Sequence, residues 1–131
     1  MQITRQAWVG GRYVDLVDVL RIVGDHGWVW RLEELEGVSR PESPYNAYVI
    51  ERTLRTDGPM TLGWTDVMSL ALGMEQTVWC MLVAIREGSP EPVLRLECVD
   101  STLWEITAPD DDADGTEVLR RIAREWPEAG A

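Results

Sequence analysis

Val93-Leu94-Arg95-Leu96-Glu97-Cys98-Val99, then Asp100-Ser101, then Thr102-Leu103-Trp104-Glu105-Ile106-Thr107, is the stretch that decides the fold class. Leu94, Leu96 and Cys98 alternate with Arg95 and Glu97, the period-two pattern of a strand with one buried face. Asp100-Ser101 is a tight turn, and beyond it Trp104 and Ile106 resume the inward positions. Strands joined by so short a turn pair antiparallel. Upstream, residues 77–86 are apolar on both faces, with Val78, Cys80 and Leu82 on one and Trp79, Met81 and Val83 on the other. That composition predicts a central strand covered on both sides.

The same reading extends along the chain. Trp64, Val67, Met68, Ala71 and Leu72 recur at helical spacing, between Gly63 at the N-cap and Gly73 past the end. Tyr13, Leu16, Val17, Leu20 and Val23 predict a helix over 12–23, stopped by Gly24. Residues 27–35 alternate as a strand whose Glu33–Glu36 tail breaks step, as a bulge does. Residues 2–9 suggest a short edge strand. Residues 39–46, with Pro41 and Pro44, are a loop, and Tyr48, Ile50 and Leu54 suggest a further strand over 47–54. A last helix is expected from Asp114, with Glu117 completing a capping-box pattern, Val118, Leu119, Ile122 and Trp126 as its buried stripe, and Pro127 as its end. The expectation is an α+β fold: an antiparallel or mixed sheet of about four to six strands with three helices packed on it, in one domain over 1–131.

Charge narrows the function. The 131 residues include 12 Arg, no Lys and 23 acids, for a net charge of −11. Residues 1–60 carry 7 Arg against 9 acids, net −2, whereas residues 61–131 carry 5 Arg against 14 acids, net −9. Eight acids and no base lie between Arg95 and Arg120. Such a chain repels phosphate backbones and anionic membranes, so neither nucleic acid nor membrane is an expected partner. It suits a basic protein, because complementary charge accelerates encounter. No signal-peptide pattern opens the sequence, and no apolar run is long enough to span a bilayer, so a cytoplasmic location is expected.

No constellation for catalysis, metal or cofactor stands out. Asp110, Asp112, Asp114 and Gly115 fall at positions 1, 3, 5 and 6 of a calcium loop, but position 12, which needs a bidentate Glu, is Arg121. The acidic run 110–114 therefore reads as a solvated loop, with no base nearby, where a cationic partner can dock. His26 is the only histidine and lies in the turn 24–27. Cys80 and Cys98 read as buried thiols without zinc-ligand spacing. Nucleotide-binding glycine loops and the hydrolase serine motif are missing, so no cofactor and no enzymatic activity are expected. Six of the seven Trp fall on core stripes. Trp8 fits none and is the candidate exposed anchor. Glu33, Glu34 and Glu36 form a second acidic cluster at a strand end. The candidate partner-binding set is therefore Asp110, Asp111, Asp112, Asp114, Glu105, Glu33, Glu34, Glu36 and Trp8.

Two segments carry a family resemblance. One is Gly58-Pro59-Met60-Thr61-Leu62-Gly63-Trp64-Thr65-Asp66-Val67, a turn and helix running on to Gln76. The other is Asp100-Ser101-Thr102-Leu103-Trp104-Glu105-Ile106, followed by the acidic loop and a closing helix. The layout over roughly residues 28–126 resembles small bacterial immunity-type proteins encoded beside polymorphic or contact-dependent toxins. The resemblance implies stoichiometric inhibition of a cognate toxin, often a basic nuclease, and assigns no interface residues. The alternatives are an acidic regulatory adaptor or nucleic-acid mimic that inhibits another enzyme, and a small-molecule or calcium-binding domain.

Overall fold

The computed structural model describes residues 1–126. In chain order its elements are β1 (Gln2–Gln6), β2 (Trp8–Val9), β3 (Arg12–Tyr13), α1 (Leu16–Val23), β4 (Val29–Ser39), α2 (Ala47–Asp57), β5 (Met60–Leu62), α3 (Trp64–Leu72), β6 (Met74–Ile85), β7 (Pro92–Val99), β8 (Leu103–Thr107) and α4 (Ala113–Glu125). Six strands form one sheet in the order β1-β8-β7-β6-β4-β5, every pair antiparallel, and β2 and β3 form a separate two-stranded ribbon. The fold is α+β, as the hairpin implies.

One face of the sheet is the core. Trp30, Leu32, Ala84, Leu82, Leu94, Leu96, Cys98, Trp104 and Ile106 are buried there, against Leu16, Leu20, Leu70, Leu119 and Ile122 from the helices. Helix α1 touches both α3 and α4. Asp15 caps α1 by accepting from the Leu16 N–H, and the same oxygen accepts from the Thr77 N–H at 3.3 Å, so one carboxylate ties the helix start to β6. Tyr13 Oη donates to the Thr77 carbonyl at the same junction.

Four expectations need correction. There are four helices among the described residues, because residues 47–57 form α2 and not a strand. Asn46 Oδ1 accepts from the Val49 N–H, and Ala47, Ile50 and Leu54 form a buried helical stripe, while Tyr48 and Val49 point to solvent. Helix α1 begins at Leu16 and not at Arg12, since Arg12 and Tyr13 pair with Val9 and Trp8. Helix α4 is capped by Asp112, which accepts from the Gly115 N–H at 2.9 Å, and Asp114 falls inside its first turn. Finally, Trp79 is 37% exposed, so the second face of β6 is only partly covered. The stop assigned to Pro127 lies outside the described residues.

Strand β4 carries the expected break: its register with β6 shifts between Leu32 and Glu34, and again further on. Strand β5 pairs only with residues 30–32. Beyond it α2 runs along β4, from the Ala47 N–H on Ser39 Oγ to Leu54 and Arg55 beside Glu33–Glu36.

Candidate functional site

The second face of the sheet carries the charge. In a one-sided antiparallel sheet, residues opposite one another in register share a face. Inward-facing Cys98 lies opposite inward-facing Trp104, so outward Glu97 lies opposite outward Glu105. The same row continues through Met81 to Glu34 on one side and to Thr4 on the other. Glu34, Glu97 and Glu105 thus form an acidic row crossing four strands, interrupted only by Met81. Glu97 feels the crowding: burial, then the neighbouring Glu105 and Glu34, push its carboxyl above the ordinary glutamate value, against the opposing pull of Arg95. Like charges placed directly opposite across strands cost stability.

An apolar stripe runs through the row. Trp79, Met81, Val83 and Ile85 follow one another along β6 on this face, with Trp79 exposed and Met81 and Ile85 half-buried. Val83 is fully buried, and its register neighbours on either side are Arg31 and Arg95. Charges on the face are therefore sorted. Arginines lie beside Val83, carboxylates beside Met81, and Glu36 beside Trp79.

At the edge of this face, β4 and α2 enclose a cleft of about 460 Å³, lined by Glu33, Glu34, Glu36, Glu51, Arg55 and Trp79 over Leu35 and Leu54. Arg31 Nε donates to Glu33 at 3.0 Å, and Arg55 pairs with Glu51 one helical turn away. Among the described residues no cation pairs with Glu34 or Glu36.

The acidic loop is less available than its sequence suggests. Arg86 donates to both oxygens of Asp112 and, at 2.8 Å, to Asp114. The expectation of a loop without a nearby base is thereby corrected. Arg86, followed by the Gly115 N–H, holds the Asp112 carboxyl below the usual carboxylate range, and the side chain is only 13% exposed. Asp110 pairs with the N-terminal ammonium of Met1, which lowers its carboxyl too. Asp111 is exposed and has no ion pair among the described residues.

The predicted site residues thus divide. Glu34, Glu36 and Glu105 share the open face with Glu97, and Glu33 joins Glu34 and Glu36 in the cleft. Asp110, Asp112 and Asp114 already have partners. Trp8 is 54% exposed and leans on Tyr13 at 5.0 Å between ring centroids, in the β2–β3 ribbon. Sequence reasoning missed Glu97, Glu51 and the exposure of Trp79. Glu97 could have been found, because the inward pair Cys98–Trp104 already sets the register that aligns it with Glu105.

The remaining candidates behave as structure. His26 bonds through Nε2 with the Val23 carbonyl and stacks on Trp28 at 4.2 Å. Cys80 and Cys98 lie opposite each other on β6 and β7 as free buried thiols, and burial raises both, Cys98 to about 11, which suppresses thiolate. No group of three or more His, Cys, Asp or Glu among the described residues is arranged to hold a metal ion. None of the helices in the described residues is long and apolar enough to cross a membrane.

The fold and the face define an α+β domain whose antiparallel sheet is helix-covered on one side and open, acidic and apolar-striped on the other. No family model matches the chain, and no curated protein or solved structure matches it either.

Proposed function

We propose that this chain is a non-enzymatic, immunity-type inhibitor that neutralises a basic bacterial toxin domain in the cytoplasm by stoichiometric binding. The observation that supports this reading best is the open sheet face, where Glu34, Glu97 and Glu105 align across strands around half-buried Met81, next to exposed Trp79. Protein interfaces combine an apolar centre with aromatic anchors and a polar rim, and Trp79 and Met81 ringed by carboxylates have that composition. The excess negative charge would steer a cationic partner onto the face and exclude phosphate-bearing competitors. Stacked like charges that cost stability in the free protein make sense where a partner's cations relieve them on binding.

The test is co-expression with the product of the neighbouring gene. Rescue of growth and recovery of a one-to-one complex would support the reading. A toxic neighbour that is neither bound nor neutralised would refute it.

A further inference from the structure

We infer that the cleft between α2 and β4 is a receptor for one arginine side chain of a basic protein partner. The inference rests on the reading above for the partner's charge, and on the cleft for everything else. Three features converge. The cleft holds about 460 Å³, within the range of small-ligand sites and ample for a single long side chain. Its floor is apolar, from Leu35 and Leu54, and the exposed indole of Trp79 forms a wall. At its mouth Glu34 and Glu36 have no cation among the described residues, since Arg31 is taken by Glu33 and Arg55 by Glu51.

An occupant must therefore combine an apolar stem with a cationic head. An anion is repelled. A bare metal ion finds no arrangement of ligands among the described residues. A guanidinium fits better than an ammonium, because its plane can lie on an aromatic face while its fork meets carboxylates, and its weaker hydration makes entry less costly. The cleft adjoins the acidic row through Glu34, so an arginine seated here would lie at the rim of the docked partner.

The experiment is a titration of the isolated protein with N-acetyl-arginine methylamide, followed by the indole N–H resonances in heteronuclear NMR. Trp79 is assigned by Trp79→Phe. The Trp79 resonance should move along a saturating curve with millimolar affinity. The norleucine analogue should leave it in place. Glu34→Gln with Glu36→Gln should weaken the arginine probe about tenfold, on the scale of two exposed ion pairs, and both positions are exposed enough for the variant to fold. N-acetyl-lysine methylamide, of the same charge, serves as the ammonium probe and should bind more weakly than arginine. An unsaturated response, an equal response to norleucine, an unchanged affinity in the double variant, or a preference for the lysine probe would each overturn the inference. The two readings fail separately. Arginine binding without toxin neutralisation would remove the proposed function alone, and neutralisation undiminished by the double variant would remove the cleft alone.

Discussion

Asp112 and Asp111 are neighbours of the same charge with different physical roles. Asp112 caps α4, accepts two of the three bonds from Arg86 and is nearly enclosed, whereas Asp111 faces water. Asp112→Ala should cost about 1–2 kcal/mol, the scale of a lost N-cap, and Asp111→Asn should stay within about 0.5 kcal/mol, as surface changes do. Urea unfolding of both variants checks the contrast. Because the folded state holds the Asp112 carboxyl low, its contribution is present at neutral pH and fades as the pH falls through that lowered value. Glu97 has the opposite sign. Its carboxyl is raised in the folded state, so its charge destabilises at neutral pH and the penalty lifts as the pH falls. Glu97→Gln should therefore be more stable than the parent at pH 7, and the gap should close in acid. A constant gap across a pH series of denaturation curves would contradict the raised Glu97 carboxyl, whose first cause is burial and second the neighbouring Glu105.

At the level of elements, the β7–β8 hairpin turns through the three residues 100–102, of which Asp100 at φ 49° and Ser101 at φ 56° lie in the left-handed region, with the Thr102 N–H donating to the Val99 carbonyl. Asn tolerates that conformation better than Asp in such turns. Ser101 cannot be exchanged as freely, because its hydroxyl donates to the Thr77 carbonyl and faces the Gln76 amide. Asp100→Asn alone should raise stability by about a few tenths of a kcal/mol, seen as a higher melting temperature. A lower one would contradict the turn geometry. This hairpin was legible in the sequence because its alternation is strict and its turn chemistry local. The α3 helix was legible too, from its apolar period between two glycines. Helix α2 was not. Tyr48, Ile50 and Leu54 imitate a strand, and the decisive signals are the Asn46 cap and the spacing of Ala47, Ile50 and Leu54, which compete with that pattern over eleven residues. The cap of α4 was misplaced by two positions because four aspartates crowd one loop, and only the bond to the Gly115 N–H distinguishes Asp112.

Across the whole molecule, the net charge of −11 resolves into groups with different fates. Part of the acidic loop is neutralised from within, by Arg86 and the N-terminal ammonium, partners distant in sequence and invisible to local reading. The open sheet face keeps its carboxylates, aligned by strand register. Changing Glu34, Glu97 and Glu105 together to Gln should slow association with the basic partner and flatten its salt dependence. Asp111→Asn should alter the association rate far less. Stopped-flow measurements over a range of ionic strength would separate the two surfaces, and equal effects would return the acidic loop to the interface.

Direct binding of a basic toxin at the open acidic face is the inhibition proposed for this chain. Its most direct test is a titration of the purified product of the neighbouring gene with this protein, reading toxin activity and complex stoichiometry together. Activity should fall linearly to zero at one equivalent for the native chain, and inhibition should be incomplete at the same ratio for the Glu34, Glu97 and Glu105 triple variant. Undiminished toxin activity with excess native protein, or full inhibition by the triple variant at one equivalent, would contradict it.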